Sequence, residues 1–200
     1  SAILALPNFT LLMTVIFAVQ FVDRSFGPVL PLYIAQAGWE PGRIPLVAGT
    51  LFSVTACSGA LGHHFCSRLL TRYQVRQVVS GGMLVGAAGS LLLAESVRLA
   101  PMALATGLLG LGIGAAMTAA FAAAGSVIPS GAHGAGFGVL TTSSLAGMAV
   151  SPVFAGLLSG ASIRTVFLAN VGLMLALAWF SHARIQAVAI GGPAPVAEDA

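Results

Sequence analysis

The chain has 200 residues, of which 58% are hydrophobic and 6% charged, with a formal net charge of +3. A soluble domain carries roughly a quarter charged residues, so this composition cannot cover a water-facing surface, and the solvent it implies is a lipid bilayer. The basic balance comes from eight scattered arginines rather than from a patch interleaved with aromatics, which argues against nucleic acid as a partner.

Apolar windows of about 20 residues, enough to cross the hydrocarbon core, recur six times along the sequence. The first, Asn8–Ala37, holds the stretch "QFVDRSFGPVLPLY", in which Asp23 and Arg24 stand side by side. Asp23 lies about 22 Å along a helix that starts at Asn8, near the midplane of a core about 30 Å thick. A charge at that depth costs roughly 2.5–3.5 kcal/mol. Neighbours in sequence point about 100° apart on a helix, so the two are not expected simply to neutralise each other. Each then needs a partner on another helix or a watery cavity. Gln20, Asp23, Arg24 and Gly27 share one stripe. Just beyond it, Pro28 and Pro31 remove amide donors and free the carbonyls of Arg24 and Gly27, which predicts a kink. Gln20, Asp23 and Arg24 are therefore candidates for a substrate or proton pathway, the other readings being an interhelical ion pair or gate that only holds helices together and a position shallower in the membrane than the residue count suggests.

The second window, Ile44–Phe65, ends near a basic connection, Ser67–Gln77, that contains Arg68, Arg72 and Arg76. Cys57 and Cys66 are about 13 Å apart along the predicted helix, too far for a disulfide. The third window, Val75–Ala94, carries Gly82, Gly86 and Gly89 on one stripe. The fourth, Leu99–Ile128, carries Gly107, Gly110, Gly114, Thr118 and Gly125 on another. Small-residue stripes let helix backbones approach closely in lipid. The fifth and sixth windows are Gly134–Leu158 and Ile163–Ser181. After them, residues 183–200 form a tail ending "AIGGPAPVAEDA", polar and Pro/Gly-rich, expected to be disordered. Residues 1–182 then make one transmembrane bundle. A β-barrel would need apolar and polar residues to alternate over about 10 positions, and "MALATGLLGLGIGAAMTAAFAAAG" does not alternate. The fold class is an all-α membrane protein.

Arg68, Arg72, Arg76 and Arg184 fall on one side of the six windows, and Arg43, Arg98 and Arg164 on the other, where Glu40 and Glu95 lie close to the first two. Because Lys and Arg near helix ends concentrate on the cytoplasmic side, both termini are expected there, in a cell inner (plasma) membrane. His63, His64, His133 and His182 are read at helix ends or in a loop, without a second ligand at helical spacing, so neither a metal nor a cofactor is expected. An intramembrane serine protease would use Ser162 and His182, but these stand about 27 Å apart at opposite ends of the sixth window, so no enzyme is expected.

The fifth window, "GVLTTSSLAGMAVSPVFAGLL", sets Gly138, Gly147, Ser151, Pro152, Ala155 and Gly156 at fixed spacing. It resembles the antiporter motif of the major facilitator superfamily: a glycine, eight residues, a glycine, three residues, Gly-Pro, two residues and Gly-Gly. Ser151 and Ala155 stand in place of two of the glycines. Gly147, Ser151 and Ala155 recur every fourth residue on one face, and Pro152 allows a bend. "SRLLTRYQVRQVV" resembles a worn copy of the same superfamily's loop signature, matching at Leu69, Arg72 and Arg76. Ser67, Thr71 and Gln74 replace its first glycine, its aspartate and its second glycine. "GPVLPLYIAQAG" resembles the end of the first helix in either half of the superfamily's drug:proton antiporters.

Members of that superfamily have twelve helices in two six-helix halves, each an inverted pair of three. The resemblance therefore implies half of a transporter, whose partners are a small-molecule substrate, a proton as coupling ion, the bilayer, and another six-helix half on the same or a second polypeptide. The worn loop signature favours the C-terminal half. So does Thr106 in "TGLLGLGIG", where the N-terminal half of such antiporters typically carries an arginine. The antiporter motif, strongest in the N-terminal half, points the other way. The implied function is proton-coupled efflux of small drug-like molecules by alternating access. The alternatives are a transporter of the same fold for a sugar or metabolite, and a non-transporting membrane scaffold, which would have no need of charges at membrane depth.

Overall fold

A computed structural model describes residues 3–6 and 8–185. Among them run six helices long and apolar enough to cross a membrane: α1 (Phe9–Gln36), α2 (Ile44–Leu70), α3 (Val75–Ala94), α4 (Leu99–Val127), α5 (His133–Ser159) and α6 (Ile163–Arg184). Single 3₁₀ turns at Ile3–Ala5, Pro41–Arg43 and Ser130–Ala132 precede α1, α2 and α5. The expected spans agree to within a few residues, and the largest departure is at α2, which continues five residues beyond Phe65 to Leu70. A helix that reaches the headgroups has no reason to stop at its last apolar residue, because its backbone bonds stay satisfied while Arg68 extends to water. Likewise Ala183 and Arg184 belong to α6 and not to the expected tail, of which residues 186–200 lie outside the described residues.

The helices pack as α1 on α5, α4 on both α2 and α3, and α3 on α6, with α1 also touching α4 and α6. In lipid, helices associate through close backbone packing and interhelical hydrogen bonds, because tails are as apolar as side chains. The fourth helix supplies two small-residue faces for this purpose. On one, Gly114 lies so close to the Gly59 carbonyl of α2 that a Cβ would overlap it. On the other, a Cβ at Gly82 of α3 would sit 2.6 Å from the Gly112 carbonyl oxygen. Polar side chains tie the remaining contacts. Asn170 of α6 donates from Nδ2 to Ser25 Oγ of α1 at 2.7 Å, and Ser25 in turn donates to the Val22 carbonyl at 2.7 Å. The Tyr33 hydroxyl lies 2.9 Å from the Leu93 carbonyl and 2.8 Å from that of Ser96, at the end of α3.

Charges collect at the two ends of the bundle. At one, Arg43 meets Glu40 at 3.4 Å and Arg164 pairs with Glu95. At the other lie Arg68 in the last turn of α2, Arg72 in the short connection that follows and Arg76 in the first turn of α3, so most of the expected Ser67–Gln77 connection is helical. Helices α2 and α5 are the least buried of the six, and Leu46, Leu61, Leu145, Val153 and Leu157 stand outward on them.

Candidate functional site

A cavity of about 670 Å³ opens between α1, α2, α4 and α5. Gln20, Asp23, Arg24 and Gly27 all line it, so the stripe expected from the first window is one wall of a hollow. Opposite stand Phe52, Thr55 and His63 of α2, Thr106, Met117 and Phe121 of α4, and Ser144 of α5.

The two charges are nearer each other than expected: Arg24 Nε lies 3.4 Å from Asp23 Oδ2, with side-chain exposures of 53% and 28%. The 100° between successive residues is bridged because the arginine side chain is long enough to fold back across the helix surface. Neighbouring positions therefore do pair here, contrary to the sequence expectation. Gln20 extends the wall toward α5, donating from Nε2 to Ser144 Oγ at 3.0 Å. The helix runs unbroken through Pro28 and Pro31, so the freed carbonyls of Arg24 and Gly27 do not interrupt it. Gly27 opens onto the cavity, with nothing within 4 Å of where its side chain would begin.

The antiporter-like motif meets α1 directly. A Cβ on Gly147 would fall on the Phe17 carbonyl oxygen. One turn later Ser151 donates to the Phe21 carbonyl at 2.5 Å, and one turn earlier Ser143 donates to the Met13 carbonyl at 3.1 Å. Three successive turns of α5 are thus matched to three of α1, both helices running the same way. Ala155 is buried as well, whereas Pro152 faces outward and Gly138 and Gly156 face open space. Across the cavity α4 meets α2 in the same manner, Gly110 against the Thr55 carbonyl, Gly114 against that of Gly59, and Thr118 against His63.

His63 is the site residue that sequence reasoning missed. It sits seven residues inside the end of α2 at Leu70, not at a helix terminus, and its Nδ1 is 2.6 Å from Thr118 Oγ1. The threonine hydroxyl already donates to the Gly114 carbonyl at 3.1 Å. With its hydrogen so used, the threonine oxygen is left to accept from Nδ1–H. The available signal was the four-residue spacing of Thr55, Gly59 and His63, opposite Gly110, Gly114 and Thr118. Of the loop-signature residues, Leu69, Arg72 and Arg76 lie at the charged end of the bundle and do not reach this cavity. Among the described residues no three His, Cys, Asp or Glu side chains gather as a metal site would require.

Chemically, the cavity offers an ion pair, an amide, the hydroxyls of Thr55, Thr106 and Ser144, and an imidazole against a background of Phe26, Phe52, Phe121 and Met117. Such a surface can hold an amphipathic small molecule and can exchange a proton. The family model described as Major Facilitator Superfamily matches residues 12–196. No curated protein matches the chain.

Proposed function

Because this chain belongs to the major facilitator superfamily, and so is a multi-pass membrane protein of the family of secondary transporters of small solutes, we propose that it is one six-helix half of a proton-coupled efflux permease. The observation that carries this reading is the Asp23–Arg24 pair on the wall of a cavity lined by α1, α2, α4 and α5. Both charges stand on α1 and pair with each other, so the pair does not join two helices as an interhelical ion pair would, whereas a site that binds solute and proton in turn needs both the charges and the hollow beside them. The substrate class is an amphipathic, drug-like molecule held by Phe52, Phe121 and Met117, and the proton is taken up by Asp23. The C-terminal half is the better assignment, on the replaced residues Ser67, Thr71 and Gln74 of the loop signature and on Thr106, which faces the cavity where the N-terminal half carries an arginine.

The complementary half covers the outward faces of α2 and α5. Proteoliposomes holding only the 200-residue chain should therefore leave a lipophilic fluorescent cation undisturbed under an imposed pH gradient, and co-reconstitution with a complementary six-helix chain should start accumulation. Transport by the chain alone as a monomer overturns the half-transporter assignment. Transport by the pair that ignores the pH gradient and follows the solute gradient overturns proton coupling.

The basic α2–α3 connection and both termini face the cytoplasm of a cell inner membrane in this reading, on the excess of arginine at that end. With Cys57 and Cys66 replaced by Ala, Thr71→Cys should react with an impermeant thiol reagent only after the membrane is opened, and Gly42→Cys should react in intact cells. Labelling of both from outside would overturn the assignment.

A further inference from the structure

A second hollow, about 500 Å³, lies on the far side of the α2–α4 seam from the cavity. Its walls are Phe65 and Leu69 of α2 and Val78 and Val85 of α3, and its floor is Leu111 and Ala115 of α4. Hydrogen-bonding side chains enter only at one end, where Tyr73 and Gln77 line it. Each of three arginines directly precedes a lining residue at that end: Arg68 before Leu69, Arg72 before Tyr73 and Arg76 before Gln77. Among the described residues none of the three has a carboxylate partner, the ion pairs being Asp23–Arg24, Glu40–Arg43 and Glu95–Arg164. Arg76 also keeps its Nε buried with no hydrogen-bond partner, an arrangement that ordinarily calls for an acceptor.

We propose that this groove binds an anionic phospholipid, with one acyl chain lying between α2 and α3 on the small residues of α4 and the phosphodiester held by the Arg68, Arg72 and Arg76 guanidinium groups. An apolar trough with three cations beside one end, none paired to a carboxylate among the described residues and Arg68 lying over the Phe65 ring at 5.9 Å, fits an amphiphile of opposite charge. Guanidinium groups bind phosphate oxygens in a two-pronged geometry, and basic pockets between membrane helices recognise anionic headgroups. The trough matters as much as the charge, because a free phosphate would leave it unfilled and a zwitterionic lipid would leave the arginines without net compensation. The α2–α4 seam separates this site from the solute cavity, so the assignment stands whatever the transported molecule is.

The test is thermal unfolding of the protein in neutral detergent, titrated with dioleoylphosphatidylglycerol, with dioleoylphosphatidylcholine, or with inorganic phosphate. Phosphatidylglycerol should raise the unfolding midpoint by several degrees, since a ligand of the native state stabilises it, and the other two should not match it. Arg72→Gln combined with Arg76→Gln should remove most of that rise from the headgroup end. Gly81→Leu should do so from the acyl end, since Gly81 lines the groove and its added side chain starts in open space. Val85→Phe fills the same trough and serves if Gly81→Leu does not yield folded protein. An equal rise with phosphatidylcholine, or a full rise in both the arginine and the groove variants, overturns the proposal. So does a groove variant that weakens association with another protein chain while keeping the lipid effect, because the trough would then be a protein interface.

Discussion

Asp23→Asn should cut proton-driven export about tenfold or more while leaving the protein folded and inserted. A coupling of 1–3 kcal/mol between two ligands corresponds to roughly 5–150-fold in affinity, and removing the group that carries the proton removes the whole of it. The substitution keeps the size and hydrogen-bonding reach of the side chain and takes away only its charge. Stability should change little, because Arg24 is half exposed and Asp23 about a quarter exposed, and pairs in such settings contribute about 0–1 kcal/mol. Asp23→Glu should retain part of the coupled activity. If the pair only braces α1, a different pattern follows. Asp23→Asn and Arg24→Gln would each lower the unfolding midpoint, the double variant would recover it, and transport per folded molecule would hold. Undiminished coupled transport in folded Asp23→Asn protein would end the proton-site reading.

Gly147→Leu should be the most damaging single change in α5, with a loss of roughly 2–4 kcal/mol in stability and of nearly all transport. Even the first carbon of the new side chain falls on the Phe17 carbonyl oxygen, which belongs to backbone and cannot rotate away. Overpacking alone costs about 1–3 kcal/mol. Separating the helices also strains the Ser143 and Ser151 hydrogen bonds to α1, each worth about 0.6 kcal/mol in a membrane. Leu145→Ala is the control for the stability of the chain on its own: Leu145 is 57% exposed there, and its loss should cost that chain no more than about 0.5 kcal/mol. Chemical denaturation in mixed micelles, with transport scored per folded molecule, compares the two. Equal tolerance would detach the small-residue face from any packing role.

Much of the fold was legible because long apolar runs admit few structures in lipid, and Val75–Ala94 and the starts of α2, α4 and α6 fall where composition changes. The seam at Gly147 and Ser151 was legible from its four-residue recurrence, but its partner was not, since a glycine stripe says only that some backbone comes near. Ser143 stayed invisible for a related reason: its acceptor is a main-chain carbonyl 130 residues away, and carbonyls carry no sequence signature. His63 was misplaced because the predicted second helix ended at Phe65, which moved a mid-helix residue to a terminus. Asp23 and Arg24 stand out in the sequence by their cost, yet their mutual contact was missed because an angular argument on Cβ directions ignores the reach of a long side chain. The cavity depends on how four helices meet, and no local pattern encodes that.

The match between Met13, Phe17 and Phe21 on α1 and Ser143, Gly147 and Ser151 on α5 also bears on how the protein is made. The two rows are 130 residues apart, and at about 5–20 residues per second of synthesis the first helix waits roughly 6–26 s for its seat to emerge from the ribosome. During that interval α1 has neither Ser144 to engage Gln20 nor Asn170 to engage Ser25, because both are still untranslated. Asp23 and Arg24, by contrast, are born together and bring their own counterion into the bilayer. Their adjacency allows the nascent helix to remain inserted until the later helices arrive to surround it.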